Sequence, residues 1–264
     1  FEADANFTFA SGQSQIRIED AEQTFTADTR SDGGSYDVTL GQGGLSYAIG
    51  VTGMTLFAQG ADIPVPVEIA FGEAGFNVTM PLAQSEEEQD FALGLKLGDF
   101  TVSDLLWGMF DPTGQLPRDP ATLALDLSGK ARVFLDLLDP EQMVVVETDG
   151  KMPGELNSLS LNEMRLRLAG AELTGKGAFV FDNENLSTFG GMPAPEGAVD
   201  LSLVGGNGLL DKLIGMGLVP EDQAMGVRMM MGLFAVPGEG ADTLNSKIEV
   251  TPDGQVLANG QRLR

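Results

Sequence analysis

Acidic side chains are the most abundant groups in this sequence that could do acid–base or metal chemistry. The 264 residues include 39 Asp and Glu against 15 Lys and Arg, and neither His nor Cys occurs. This absence removes the usual general base, the usual zinc ligands and every Ser-His or Cys-His nucleophile pair. Carboxylate pairs such as Asp111 with Asp119, or Asp182 with Glu184, could hydrolyse a glycosidic bond. No motif distinguishes these pairs from chance, so the sequence predicts no catalytic residue and no enzyme.

Two short segments resemble ligand-binding loops without completing either motif. The segment Gly205-Gly206-Asn207-Gly208 precedes a predicted helix, but it lacks the Lys and Ser/Thr of a P-loop and the spacing of a dinucleotide fingerprint. Glu239 and Asp242 lie beside Gly240 in an acidic loop that lacks the regular spacing of an EF-hand. We predict a tight strand-to-helix turn for the first segment and neither a cofactor nor a metal site, while calcium binding to acidic loops stays open.

The net charge of −24 excludes several classes of partner. Nucleic acid binding needs a basic patch, and docking on an anionic membrane surface needs basic residues as well. No apolar run reaches the roughly 18 to 20 residues that cross a bilayer as a helix. The chain has no initiator Met and opens within a predicted strand. We therefore predict that residues 1–264 form a single β-rich domain, the C-terminal part of a longer chain.

Apolar and polar residues alternate through most of the chain, which is the period of strands with one wet face. The pattern predicts turns at Ser11-Gly12, at 31–34 and at Ser128-Gly129-Lys130, where small and polar residues cluster. About a dozen or more antiparallel strands result. A sheet of that size must twist and curl, so we predict a mainly β fold: a long curled sheet forming a groove or open barrel. Ile63 to Val67 contains two prolines, which suits an edge or a crossing segment.

A few short helices complete the predicted fold and pack on the concave side of the sheet. The first lies at 103–110 with Ser103 as its N-cap. Two more lie between Val204 and Pro237: one is capped by Asn207 and stops at Gly217, and the next begins at Pro220.

Apolar side chains on these helices are the candidate lining of a core or of a ligand site. Buried against the sheet they would fill its concave side, whereas exposed they would offer a deformable, Met-rich surface to an apolar ligand or partner. The single Trp can serve as core filling or stack on a ligand. The candidate residues are Trp107, Met109, Phe110, Met225, Met229, Met230, Met231, Leu233 and Phe234.

Several segments resemble a known family. The segments are WGMFDP with LPRDPATL, PGELNSL, TFGGMPAPEG and, above all, the run from Gly205 to Leu244 with the ending ANGQRLR. They are similar to the C-terminal half of an alphaproteobacterial domain-of-unknown-function family of envelope proteins. The resemblance covers most of residues 45–264 and is strongest from Asp99 onward. Members of that family look like secreted precursors, so the resemblance implies a periplasmic setting.

The order of strands, helices and final hairpin is more distantly similar to the C-terminal units of AsmA-like envelope proteins. Those proteins are associated with extended β-grooves that handle lipid, and no catalytic residue is implied for any position here. The leading hypothesis is therefore a non-enzymatic periplasmic protein that binds lipid or other apolar cargo in a β-groove. The alternative is an interaction module whose groove is filled by its own helices. In that case Ile63 to Val67 or the N-terminal strand would pair with another chain.

Overall fold

The computed structural model describes residues 2–19, 24–41, 43–139, 142 and 153–264. In this part of the chain one antiparallel sheet of 15 strands accounts for most of the structure, and the sheet is not closed into a barrel. The predicted mainly β fold with a long open sheet is therefore confirmed. The strands are β1 (Ala3–Phe9), β2 (Gly12–Glu19), β3 (Thr24–Ser31), β4 (Gly33–Gly41), β5 (Gly44–Gly60), β6 (Val67–Met80), β7 (Gln89–Val102), β8 (Ala121–Val133), β9 (Gly154–Leu168), β10 (Ala171–Asp182), β11 (Ala194–Val204), β12 (Val236–Pro237), β13 (Thr243–Val250), β14 (Val256–Ala258) and β15 (Gln261–Arg262).

Neighbouring strands in the sheet are neighbours along the chain. From β4 to β11 each strand pairs with the next, and β11 continues to β13, β14 and β15. The long strand β5 pairs with β4 along its first half and with β3 along its second half. Because β1 pairs with β4 and β2 with β3 in the same way, β1–β2 and β3–β4 act as two long strands. The sheet is therefore a meander that starts at β1–β2.

The N-terminal strands all bend along one line across the sheet, which we call the crease. It lies where turns are predicted at Ser11-Gly12 and at 31–34. These two turn predictions are wrong, because the register continues on both sides of the crease. Along each strand, successive apolar residues that project on the same face lie two positions apart. Across the crease they lie three positions apart. In β1–β2, for example, a Cβ on Gly12 would lie 3.4 Å from the ring of Phe9, so positions 9 and 12 face the same side. Gly53 (φ 58°) and Asp99 (φ 51°) turn their strands at the same line. The clustered small residues serve this bend rather than chain reversal.

The hairpin predicted around Ser128-Gly129-Lys130 is also wrong, because strand β8 runs straight through it. A Cβ on Gly129 would lie 2.1 Å from the carbonyl oxygen of Ser158 and 2.6 Å from the ring of Phe91. The glycine is needed for close approach of a neighbouring side chain and backbone, which is a second use of glycine within strands.

Three helices occur in the described part of the chain: α1 (Asp104–Phe110), α2 (Gly206–Gly215) and α3 (Glu221–Phe234). Helix α1 links β7 to β8, and α2 and α3 link β11 to β12. Antiparallel pairing brings these connections to one rim of the sheet. A Cβ on Gly215 would lie 3.5 Å from Gln115 Oε1, and one on Gly170 would lie 3.0 Å from Pro117 Cγ. The helices and the loop after α1 thus lie together at this rim.

Most of the sheet is a single layer without a conventional core. The chain exposes 16055 Å² to solvent, whereas a compact protein of 27.8 kDa exposes about 11,000 Å². Among the described residues, seven of the ten buried apolar residues are alanines, and the largest is Leu210. Ile63 to Pro66 forms the connection between the central strands β5 and β6. Because β5 and β6 pair directly up to Ala58 and Val67, the segment is a hairpin loop, and both the predicted edge and the predicted crossing segment are wrong.

Candidate functional site

One face of the sheet carries a continuous row of apolar side chains. Residues that lie opposite one another in paired strands project on the same face, so the register identifies the row directly. From the N-terminal edge it reads Phe7, Tyr36, Ile49, Phe76, Leu95, Leu125, Met164, Gly175 and Leu201. A Cβ on Gly175 would lie 2.9 Å from Met164 Cε and 2.8 Å from Leu201 Cδ2, so the flanking side chains close over this glycine. The row is therefore apolar without interruption across nine strands' width.

Two further rows flank this central row on the same face. The first reads Ala5, Val38, Tyr47, Val78, Leu93, Leu127, Leu161, Gly177, Val199 and Ile248. The second reads Phe9, Gly34, Val51, Ala74, Leu97, Leu123, Leu166, Leu173, Leu203 and Leu244. We call the surface formed by these three rows the apolar face.

The apolar face is open to solvent over much of its length. Phe7 keeps 62% of its surface exposed, and Phe76, Ile49 and Leu166 keep 37%, 38% and 45%. Contiguous exposed apolar surface of this extent is rare on soluble proteins unless it binds something. Alternation in the sequence indicates such a face, but the extent of its rows follows only from the strand register.

Aromatic rings concentrate on the N-terminal half of the apolar face. The rings of Tyr36 and Tyr47 meet edge to face with their centroids 5.3 Å apart, and Phe76 lies 6.0 Å from Tyr47. Phe7 and Phe9 lie 6.0 Å apart on the edge strand. These contacts hold the rings in fixed positions while leaving part of each exposed, which suits contact with an apolar ligand.

The opposite face of the sheet is polar. Ion pairs join neighbouring strands there: Lys96 Nζ lies 2.7 Å from Glu73, and Lys130 Nζ lies 2.9 Å from Asp90. The hydrogen bond to Glu73 raises the pKa of Lys96, and the bond to Asp90 does the same for the pKa of Lys130. Two open cavities of about 410 and 720 Å³ lie on this polar face and share Asp126 and Glu163. Charged and amide side chains such as Lys96, Asn162 and Lys176 take part in these linings.

The sequence-predicted residues on helix α1 lie at the helix-bearing rim. Ser103 caps α1 as predicted, since its Oγ accepts a hydrogen bond from the Leu106 N–H. Trp107 is half-buried, and the Arg118 guanidinium lies 5.6 Å from the centroid of its ring. Met109 and Phe110 keep 54% and 65% of their surface exposed. The rim therefore presents large apolar side chains to solvent next to the sheet.

The Met-rich side of helix α3 is also exposed. Met225, Met229, Met230 and Leu233 keep 67%, 70%, 53% and 51% of their surface accessible, while Met231 and Phe234 are half-buried. Of the residues of α3, Ala224 is buried. These four side chains are therefore not buried against the sheet. Of the two interpretations of the Met-rich residues, exposure to solvent is the one that agrees with the structure.

Helix α2 connects this rim to the apolar face. A Cβ on Gly206 would lie 2.6 Å from Leu203 Cδ2, so the start of α2 packs on the last leucine that β11 contributes to the apolar face. Asn207 does not cap α2, because the helix already begins at Gly206. The cap comes instead from Asp242, whose carboxylate accepts hydrogen bonds from the backbone N–H groups of Asn207 and Gly208 at 3.1 and 2.8 Å.

Asp242 owes its ionisation behaviour to this capping role. Burial alone would raise its pKa, but the hydrogen bonds from Gly208 and Asn207 outweigh burial and hold the pKa below its usual range. The segment 205–208 is thus the predicted strand-to-helix turn, and a protein carboxylate accepts two of its N–H groups. The N–H groups of Gly205, Asn207 and Gly208 all donate to Asp242, so a phosphate would have to displace this residue.

The acidic pairs considered for catalysis also have structural roles. Asp111 is buried and accepts hydrogen bonds from the backbone N–H groups of Gln115 and Leu116 at 2.9 and 2.7 Å. Asp182 accepts a hydrogen bond from the N–H of Glu184 at 3.0 Å, which closes a turn. Within the described ranges, no group of three or more acidic residues is placed to hold a metal ion.

Comparisons of the chain with known protein families, with curated proteins and with solved structures found no match. None of the helices in the described part of the chain is long and apolar enough to cross a membrane. The geometry of the apolar face and of its helix-bearing rim is therefore what bears on function.

Proposed function

We propose that this protein binds a lipid or another elongated apolar molecule along the apolar face and does not catalyse a reaction. The observation that carries the proposal is the central apolar row from Phe7 to Leu201, in which Phe7, Ile49 and Phe76 keep more than a third of their surface exposed. A single-layer sheet with such a face gains free energy when another apolar surface covers it.

The dimensions of the face suit an acyl chain. Strands lie about 4.8 Å apart, so a row that crosses five strands measures about 19 Å. Each CH₂ group removed from water contributes about 0.8 kcal/mol before the cost of ordering the ligand. A chain lying over the rings of Tyr36, Tyr47 and Phe76 would bury both its own surface and the exposed part of these side chains. The adjacent side chains of α1 and α3 would extend this contact at the rim.

Charge narrows the class of ligand. The protein carries a net charge of −24, which repels anionic headgroups at low ionic strength. We therefore expect a neutral or zwitterionic lipid. The resemblance to envelope proteins supports a periplasmic location, and that location is part of the proposal.

The first experiment is native mass spectrometry and lipid extraction of protein purified without detergent. A defined lipid at near-stoichiometric amounts supports the proposal. Titration with a fluorescent phosphatidylethanolamine then tests the face itself. Phe76→Asp places a carboxylate in the middle of the central row, and we expect it to weaken binding at least ten-fold because the charge must be desolvated under the ligand.

Asn77→Asp is the matched control for this substitution. It adds the same charge at the next residue of strand β6, where the side chain is exposed on the polar face. Binding should match that of the unaltered protein. Absence of bound lipid together with equal probe binding by both variants would refute the proposal.

A further inference from the structure

The exposed side of helix α3 is apolar, which reverses the usual arrangement of a surface helix. Met225, Met229 and Leu233 are four residues apart and therefore project on one side, where each keeps more than half of its surface exposed. The other side contains Ala224, which is buried, and Arg228, which forms an ion pair with an aspartate of α2. Helix α3 therefore presents its large apolar side chains to solvent and not to the protein.

A second exposed apolar stripe lies on helix α1 at the same rim of the sheet. Leu105 and Met109 are also four residues apart, and both keep more than half of their surface exposed. Helix α2 connects the two stripes, since its end lies beside Gln115 in the loop after α1 and its start packs on Leu203 of the apolar face. We call the exposed apolar side chains of α1 and α3 the apolar rim. They are Leu105, Met109, Phe110, Met225, Met229, Met230 and Leu233.

The apolar rim carries little of the negative charge of the protein. Residues 223–238 contain neither Asp nor Glu, although the chain has 39 acidic residues. The one charge in this segment, on Arg228, is paired with Asp211. In α1 the one acidic residue, Asp104, is paired with Arg118. The rim is therefore a locally neutral part of an acidic protein, and it can approach an uncharged surface without strong electrostatic repulsion.

The size and composition of the rim favour a lipid surface over a folded protein as its partner. The Met-rich side of α3 offers on the order of 500 Å² of accessible surface, whereas a stable protein–protein interface takes about 800 Å² from each partner. Methionine side chains are flexible and adapt to an irregular apolar surface. The inference also rests on the proposed function, because a lipid that binds the apolar face is poorly soluble in water and has to come from a bilayer.

We propose that the apolar rim docks on a bilayer of zwitterionic lipid, with the Met-rich side of α3 buried at the boundary between headgroups and acyl chains. Docking brings the row of the apolar face that ends at Leu203 and Leu244 next to the bilayer, so lipid passes between the two without crossing water. Anionic lipid weakens docking, because the net charge of −24 is repelled, and added salt reduces this repulsion.

Flotation with phosphatidylcholine vesicles measures docking. Met229→Asp places a carboxylate in the middle of the Met-rich side, and we expect the partition coefficient to fall about ten-fold because the charge must be desolvated on insertion. Met192→Asp is the matched control: Met192 is similarly exposed, and it lies in the loop between β10 and β11 at the opposite rim. This control should float as the unaltered protein does. Equal flotation of both variants, or no flotation of the unaltered protein, would overturn the proposal.

Trp107 reports which part of the molecule meets the bilayer, because it is the one tryptophan of the chain and lies in α1. Vesicles of phosphatidylcholine with brominated acyl chains should quench its fluorescence when the rim docks. Quenching should persist in Met192→Asp and be lost in Met229→Asp. Flotation without quenching would place the contact elsewhere on the molecule and overturn the proposal.

Two variants separate bilayer docking from lipid binding on the apolar face. Phe76→Asp should still float with vesicles while losing affinity for a fluorescent phosphatidylethanolamine with short acyl chains, which is soluble as a monomer. Met229→Asp should bind this monomeric probe as the unaltered protein does while losing flotation. If Phe76→Asp instead abolished flotation and Met229→Asp did not, the protein would dock through the apolar face, and the role of the rim would be refuted while lipid binding stood.

Discussion

The two ends of the sheet are built differently. At the N-terminal end of the described chain, strand β1–β2 is long, almost wholly exposed and paired on one side. At the C-terminal end the strands β14 and β15 contain three and two residues, and β12, which follows the helices, pairs with β13. Backbone carbonyl groups there are satisfied by side chains: the oxygen of Phe234 accepts hydrogen bonds from Ser246 Oγ at 2.6 Å and Asn259 Nδ2 at 3.0 Å.

The two ends of the sheet therefore differ in how much their side chains contribute to stability. The C-terminal end contains Leu210, Ala224, Val250 and Ala258, which are among the few buried apolar residues of the described chain. Its last two strands are short, and the buried residues lie in α2, α3, β13 and β14. Among the described residues, strands β1–β2 at the N-terminal end pair on one side only and contribute no buried large apolar side chain. Equivalent substitutions at the two ends should therefore have unequal effects.

The largest contrast should come from removing an aliphatic side chain. Leu210→Ala empties a site that is 8% exposed, and we expect it to lower the free energy of unfolding by about 3 kcal/mol. Ile16→Ala in strand β2, at a site that is 54% exposed, should lower it by less than about 1 kcal/mol. Urea denaturation of dilute protein measures both. Equal losses would show that the two ends do not differ in packing.

A smaller contrast should come from adding a methyl group to glycine. Gly205 has φ 75°, and a Cβ there would lie 2.4 Å from the backbone oxygen of Gly170. We expect Gly205→Ala to cost about 2 kcal/mol from left-handed strain and the contact together. Gly50→Ala in strand β5 is the control, since its nearest neighbour would be Ser35 Oγ at 3.8 Å. Thermal unfolding should leave this control within about 0.5 kcal/mol of the unaltered protein.

The smallest effect concerns the cap at the C-terminal end. Asp242→Ala removes the acceptor for the N–H groups of Asn207 and Gly208 and should cost about 1 kcal/mol. Because folding lowers the pKa of Asp242, the stabilisation is complete above the unfolded pKa of about 4 and is lost as pH falls through the folded pKa. The stability difference between the two proteins, measured by urea denaturation from neutral to acidic pH, should shrink at low pH. A difference that stayed constant with pH would contradict a charged cap.

Alternation of apolar and polar residues was sufficient to predict the strands and the open, mainly β sheet. Glycine misled the prediction where it serves a purpose other than a turn. Gly12 and Gly33 lie at the crease and Gly129 lies beneath the Phe91 ring, and local sequence alone does not separate these uses. The cap of α2 was missed because Asp242 lies 35 residues after Asn207. Only the folded β11–β13 pair brings them together.

The candidate site was predictable in part. The helical spacing of the apolar residues in α3 predicted one apolar side of the helix. The structure exposes most of that side to solvent at the rim of the sheet. The larger apolar face was not predicted as three aligned rows, since a row requires the register of every strand pair. A shift of one residue in any pair would move the row to the other face. Cross-strand rows of this kind follow from the pairing and not from any one segment.

Pairing of each strand with its neighbours in the chain has a consequence for how such a sheet can change in length. Contacts are local, so each added hairpin interacts mainly with the strand before it and the strand after it, as repeats do in a solenoid. Duplication or loss of a hairpin in the middle of the meander would alter one pair of interfaces and leave the ends intact. Related chains could therefore differ greatly in strand number while keeping the same helix-bearing rim and the same short C-terminal strands.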